Sequence, residues 1–462
     1  MPMRTETDSL GSLELPDDAY YGVQTARALA NFPISGMRMP AAFVRAYARI
    51  KRAAAETNGD LGVVPVNIAA AIARAAAEVE AGGLAGQFVV DVYQAGAGTS
   101  FNMNMNEVLA NRALEHLGKS RGDAKSVSPN DHVNAGQSTN DTFPTAMRLA
   151  CLELVSGVET ALNALTGALE AQATSVGAAL KSGRTHLQDA VPMRIAQEIG
   201  GWATVIRGVC ERVGQAAEPL HTIPIGGTAI GTGMNADARF PLEVTKRLAA
   251  LTGKPLVAAP DRFARIASMA DFAWLSSSLR LTAIEVGKLS NDLRLLASGP
   301  FTGLAEVTLP TVQPGSSIMP GKVNPSIAEM MNQVCFQVIG LDAAIAACAA
   351  AGQLELNVMM PVAAWDLCHA LTILANAITI FTEKCVRGLV WDLERCREYM
   401  EASAGMATIL NPHIGYLAAA AVAKQAAKEK RSVVEIVREQ KLVDDATLTA
   451  ILDPKKLTEP GR

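Results

Sequence analysis

Five stretches, at about 143–180, 192–218, 260–298, 325–351 and 361–389, carry apolar residues at helical spacing with almost no interruption. In the first of them the only proline is Pro144, where the pattern predicts the opening turn of a helix. Helices well beyond ordinary globular length point to an elongated bundle. Their apolar surface is too broad for one face, so several faces must be covered, in part by other subunits. Composition supports the same reading. The chain is 49% hydrophobic but only 5% aromatic, so Ala, Leu, Val, Ile and Met build the core, and small side chains let helices approach closely.

Outside these runs the pattern shortens. Residues 1–40 read as extended structure and turns, punctuated by Gly11 and Pro16, and helices are predicted at 41–58, 66–82 and 102–114. After Trp391, small helices at 412–428, 431–440 and 444–453 predict a separate C-terminal unit. The reading is mostly α, with small N- and C-terminal domains around a bundle. A net charge of −4 argues against nucleic-acid or polybasic membrane binding, so a small anionic ligand must be drawn by local charge. Seven cysteines sit singly with no CxxC, and Met1 to Leu15 is polar and acidic, which predicts reduced thiols in a cytoplasmic protein. No apolar run is expected to reach membrane-spanning length.

Four polar islands carry the chemistry. Residues 314–325, Pro-Gly-Ser-Ser-Ile-Met-Pro-Gly-Lys-Val-Asn-Pro, hold two glycines and three prolines and are predicted to be a loop. Its hydroxyls and one lysine suit a segment that folds over an anion; the alternative is a plain polar connector. It is no phosphate loop: one residue too many separates Gly315 from Gly321, and Val323 stands where magnesium needs Ser or Thr.

Gly96-Ala97-Gly98-Thr99-Ser100 precedes a predicted helix, whose free N–H groups and dipole would receive a carboxylate. Thr99 is either such a contact or a helix cap. Phe101 breaks any dinucleotide fingerprint. Asn102, Asn104 and Asn106 cannot all share one helix face, so some must bond elsewhere. In the island 128–141, Ser138, Thr139 and Asn140 are short donors at the mouth of the longest helix. His132 beside Asp131 lacks a supporting cluster and reads as structural, or a minor anion contact, rather than a metal ligand. In the island 182–189, placed between two long helices, His186 can polarise a substrate or exchange protons with it, or serve as a helix-end cap. The glycine-rich stretch 226–235 is expected to shape the wall of a site. No serine-histidine-acid triad or nucleophile elbow is legible.

Together the islands resemble the aspartase/fumarase superfamily. GSSIMPGKVNP at 315–325 is similar to its signature loop, and the likeness runs in order from about Arg4 to Leu457. AYYGVQTARA at 19–28, NFPISG at 31–36, NQVCFQVIG at 332–340, AGQLELNVM at 351–359 and NPHIGY at 411–416 look like the ammonia-lyase branch. PNDHVN at 129–134 and GRTHLQDA at 183–190 occur in class II fumarases as well. The resemblance implies a mostly α, three-domain subunit divided at 1–137, 138–393 and 394–462. Its long central bundle would be shared in a homotetrameric core, with each active site drawn from three subunits.

The reaction so implied is reversible conversion of L-aspartate to fumarate and ammonia, with the hydration of fumarate to L-malate as the alternative. No cofactor and no metal are implied. Both reactions remove a proton beside a carboxylate, so an aci-carboxylate must be stabilised by donors. By resemblance, Thr99, Ser138, Thr139 and Ser317 would hold that carboxylate and Ser316 would be the base. Lys322, Asn324 and Thr185 would grip the second carboxylate, and Asn140 and His186 would face the leaving group. Retention of these residues argues against a non-catalytic protein on the same scaffold. Ala135-Gly136, Leu341 and Met360 depart from the family pattern, and are expected to tune pocket shape and substrate breadth more than reaction type.

Overall fold

A computed structural model describes residues 2–459. The chain opens with an antiparallel hairpin, β1 (Met3–Asp8) and β2 (Gly11–Pro16), with Met3 opposite Pro16. Four helices follow: α1 (Val23–Asn31), α2 (Ala41–Asp60), α3 (Val66–Glu80) and α4 (Thr99–His116). Helix α1 falls where extended structure was expected. Its start has no local side-chain cap. Instead Glu107, far along the chain, accepts the N–H groups of Gly22, Gln24 and Thr25 at 2.8, 2.8 and 3.1 Å and the Thr25 hydroxyl at 2.6 Å. That distant carboxylate satisfies the free donors of the helix start, and no local pattern reports it.

Helix α5 (Thr139–Ser175) has 37 residues, about 55 Å at helical rise. It begins four residues ahead of the predicted start, so Pro144 lies in its second turn. It also ends early. Residues 180–194 form a hairpin, β3 (Leu180–Thr185) with β4 (Gln188–Arg194), where a helix-to-helix connector was expected. His186 and Leu187, at φ of 55° and 59°, make its two-residue turn, whose twist matches the strands.

Then come α6 (Ile195–Ala217), β5 (Thr222–Ile223), α7 (Phe240–Thr252), β6 (Val257–Ala258), α8 (Arg262–Ala267) and α9 (Ala270–Leu296), with β5 parallel to β6. The run expected to be one helix over 260–298 is thus two, because Ser268 turns to extended backbone. After β7 (Val307–Thr308), residues 309–325 form neither helix nor strand. Helices α10 (Ser326–Ala350) and α11 (Met360–Phe381) follow, then β8 (Val390–Trp391), antiparallel to β7. The C-terminal helices are α12 (Leu393–Ala402), α13 (Gly405–Ile414), α14 (Tyr416–Glu429), α15 (Val433–Glu439), α16 (Asp445–Ile451) and α17 (Pro454–Thr458). The helix predicted at 412–428 is divided at Gly415, whose φ of 81° ends α13.

These residues form two compact units. The first comprises 2–159, 211–281 and 336–374; the second comprises 160–210, 282–335 and 375–459. Phe43, Tyr47, Phe101 and Phe143 centre the first, with ring centroids 4.9 to 6.1 Å apart. In the second, Met400, Met406, Leu410, Val422, Val433, Ile436 and Leu448 are among the buried residues that gather the C-terminal helices.

By length and composition alone, three helical segments are apolar enough to cross a membrane: Thr139–Ser175, Ser326–Ala350 and Met360–Val386. This corrects the expectation that none is. Two of the charged residues that interrupt these runs, Arg148 and Asp342, are ion-paired. Arg148, fully buried in α5, donates to the Pro219 carbonyl at 3.0 Å and to Asp271 at 2.8 Å. Asp342 of α10 accepts from Ser276 at 2.6 Å and Arg280 at 2.7 Å. The most apolar window of α10 is only 22% buried by its own chain.

Candidate active site

In the first unit two helix starts come together. Gly98 precedes α4 at φ 88°, and a Cβ there would stand 2.0 Å from the Phe143 ring of α5. Only glycine fits so close an approach in a left-handed backbone. Just upstream, the Ala97 N–H donates to the Val358 carbonyl at 2.9 Å. Thr99 is the first helical residue and is exposed, while the capping position is Gly98, so Thr99 is not the side-chain cap.

At the start of α5, the Ser138 N–H donates to Asp141 Oδ1 at 2.9 Å, and the Asn140 N–H to Ser138 Oγ at 3.2 Å. Thr139 is buried. Asn140 Nδ2 donates to the Ala229 carbonyl at 2.7 Å. The glycine-rich stretch therefore does more than shape a wall: the N–H groups of Gly226 and Thr228 reach Asp141 Oδ2 at 2.9 and 2.8 Å. Burial pushes the Asp141 carboxyl up to about 7, against the three N–H donors and the charge of Lys51. Burial likewise pulls the Lys51 ammonium down to about 7.

Lys51 Nζ donates to Asn134 Oδ1 and Gln137 Oε1, both at 3.0 Å. Asn134 Oδ1 also accepts from Asn102 at 3.3 Å and Asn106 at 3.2 Å. The alternating asparagines are thereby explained. Asn102 and Asn106, one turn apart, face Asn134, while Asn104 turns away to the Val89 N–H at 3.0 Å and the Gln87 carbonyl at 2.9 Å. Nearby, His132 Nδ1 accepts the Ser128 N–H at 2.9 Å, a structural role.

The second unit carries the remaining residues. Thr185 and His186 are exposed at the tip of the β3–β4 hairpin, so His186 is a turn residue and not a helix-end cap. Buried Glu306 anchors the hairpin through Arg184 at 2.6 Å and Lys181 at 2.9 Å. The serine loop is closed at its base: the Gly315 N–H donates to the Lys322 carbonyl at 3.0 Å, and Asn324 Nδ2 to the Gly315 carbonyl at 2.6 Å. A Cβ on Gly315 would lie 2.2 Å from the Lys322 carbonyl oxygen. Ser316 Oγ accepts the N–H groups of Ile318 at 3.2 Å and Met319 at 3.0 Å, donors that favour an oxyanion there. Ser317 and Lys322 are exposed.

The fold thus gathers Ser138, Thr139 and Asn140 on one helix start, Thr185 and His186 on one hairpin, and Ser316, Ser317, Lys322 and Asn324 in one loop. Asp141, Lys51 and Asn134 received no role from sequence. Their signal was a lone acid directly after Ser-Thr-Asn, and a lysine one turn beyond Tyr47 in an alanine-rich helix. Among the described residues no group of three or more His, Cys, Asp or Glu is placed to hold a metal.

Comparison with known proteins matches residues 11–340 to the family described as Lyase and residues 406–459 to the family described as Fumarase C C-terminus. The aspartate ammonia-lyase of Pseudomonas aeruginosa is 47% identical over 460 residues, covering 99% of this chain and 97% of that one. The class II fumarate hydratase of Xylella fastidiosa is 43% identical over 459 residues, covering 99% and 96%. Among solved structures, the fumarate lyase:delta crystallin of Brucella melitensis bound to cobalt superposes with a TM-score of 0.96 at 45% identity, covering 99% of this chain and 100% of that one.

Proposed function

The chain belongs to the aspartase/fumarase superfamily and is a lyase, and from that premise we propose that it removes ammonia from L-aspartate to give fumarate, reversibly. One observation carries the reading: Ser316 Oγ lies in a turn where two backbone N–H groups point at it. A serine becomes a base only when its alkoxide is stabilised, and those donors, with Lys322 on the same loop, supply that when water is excluded. Ser316 takes the proton from the carbon beside the carboxylate. The charge that develops passes into that carboxylate as an aci form, held by Thr99, Ser138, Thr139 and Ser317. Lys322, Asn324 and Thr185 fix the other carboxylate, and Asn140 and His186 face the amine, which departs protonated from the opposite side. No cofactor enters the scheme.

The subunit divides at 1–137, 138–393 and 394–462, and works as a cytoplasmic homotetramer whose sites draw on three subunits. The apolar outer face of α10, where Phe336 is 65% exposed, supports a shared core. So does the exposed tip that carries Thr185 and His186. The ammonia-lyase branch is favoured by its segments at 19–28, 31–36, 332–340, 351–359 and 411–416. Fumarate hydration is the second reading, favoured by the likeness to the Xylella fastidiosa enzyme. Fumarate appearance by ultraviolet absorbance, with L-aspartate and L-malate supplied separately, decides: absorbance from malate alone would replace this proposal with the second reading.

A further inference from the structure

We propose that Asp141 is a positioning residue, welding the turn 226–229 to the segment 138–140 and so setting where the donors of that segment point. The inference rests on the reading that this segment holds a carboxylate.

Its two oxygens face two different pieces of chain. Oδ1 takes the Ser138 N–H at 2.9 Å; Oδ2 takes the Gly226 and Thr228 N–H groups at 2.9 and 2.8 Å. A second tie, Asn140 Nδ2 to the Ala229 carbonyl at 2.7 Å, joins the same two pieces. Thr228 is held at φ 55°, a left-handed conformation that a β-branched residue adopts only at a cost in backbone strain. Its buried hydroxyl has no hydrogen-bond partner, so the side chain does not offset that cost locally. The Thr228 N–H on Asp141 is the contact that holds the strained residue in place. From the other side Lys51 grips Asn134 and Gln137, the residues that lead into Ser138. A buried carboxylate and a buried ammonium therefore bracket the segment, one at each end.

A carboxamide cannot do what this carboxylate does. It has one acceptor oxygen and presents an NH2 group at the other position, facing either Ser138 or the turn donor to donor. Asp141→Asn preserves shape and removes one of the two welds. A misplacement of about 1 Å in a substrate-holding segment costs up to about a hundredfold.

The test uses the full-length assembled enzyme and succinate, a four-carbon dicarboxylate with no leaving group, titrated calorimetrically. In assembled D141N the succinate Kd and the substrate KM are expected to rise together by about tenfold or more. If D141N does not assemble, the double variant D141N/K51M, which also removes the ammonium left unbalanced, is measured against K51M alone, so that the loss of the Lys51 ties to Asn134 and Gln137 cancels. An assembled variant with a succinate Kd within about twofold of wild type overturns the inference, however much its stability has fallen. Failure of both variants to assemble also overturns it, since Asp141 would then serve folding and not positioning. Wild-type protein that binds no succinate would sink the site reading itself, a result independent of the variants.

Discussion

Gly98→Ala places a methyl group against a wall that cannot retreat. The new Cβ would stand 2.0 and 2.1 Å from two carbons of the Phe143 ring. That ring is fully buried, 4.9 Å from Phe43 and 6.1 Å from Tyr47, both fully buried themselves. Relief by overpacking shifts costs about 1–3 kcal/mol. The backbone adds a second cost, because φ at this residue is 88° and an L side chain in left-handed conformation loses about 1–2 kcal/mol. Together the variant should lose about 2–5 kcal/mol, with KM raised because the start of α4 and Thr99 must move. Urea unfolding at fixed protein concentration measures the first effect and initial rates the second. A double-mutant cycle with Phe143→Leu separates the two costs: in that background Gly98→Ala should retain only the backbone cost, a coupling of about 1 kcal/mol or more. An unchanged urea midpoint, or additive effects in the cycle, would refute the reasoning.

Three further outcomes are expected. Ser316→Ala should abolish turnover while the oligomer stays intact by light scattering; near-normal activity removes Ser316 as the base. Thermal unfolding should shift upward with protein concentration if the exposed face of α10 is buried between subunits, and a constant midpoint argues for a monomer. Asp91 is buried, which raises its pKa, but N–H groups of Tyr93, Ser35 and Gly36 and the Ser35 hydroxyl outweigh burial and hold it below the usual range. Its contribution is fully present above about pH 4, where the unfolded carboxyl ionises, and is lost as pH falls through the lower folded value. Asp91→Asn should therefore cost about 2 kcal/mol at pH 7, the gap to wild type closing below pH 4; a gap that does not depend on pH refutes the assignment.

The long helices were legible because their apolar spacing is local information, and so was the loop 314–325, whose prolines and glycines admit little else; the irregular stretch in fact begins five residues earlier, at 309. Features set by distant partners were not. Helix α1 is capped by Glu107, and the hairpin at His186 is pinned through Arg184 by Glu306. Sequence identified Ser138, Thr139 and Asn140 as donors but gave no role to Asp141, because its partners Gly226 and Thr228 lie 85 and 87 positions away. The asparagine series shows the boundary well. That Asn102, Asn104 and Asn106 must diverge follows from helix geometry, whereas the partners they reach follow only from the packed structure.

The interleaving of the two units has a consequence for how the chain is made. The first unit needs residues 336–374 to complete what residues 2–159 begin, and the second needs the stretch after 375. At about 5–20 residues per second, the opening third waits on the order of ten seconds or longer on the ribosome before its packing partners exist. Through that interval the Phe43, Tyr47, Phe101 and Phe143 cluster can form early, since all four residues come from the opening segment. Apolar surface of this unit that residues 336–374 cover stays open until they arrive. Chaperone binding to the nascent first unit should therefore persist until residues 336–374 have emerged.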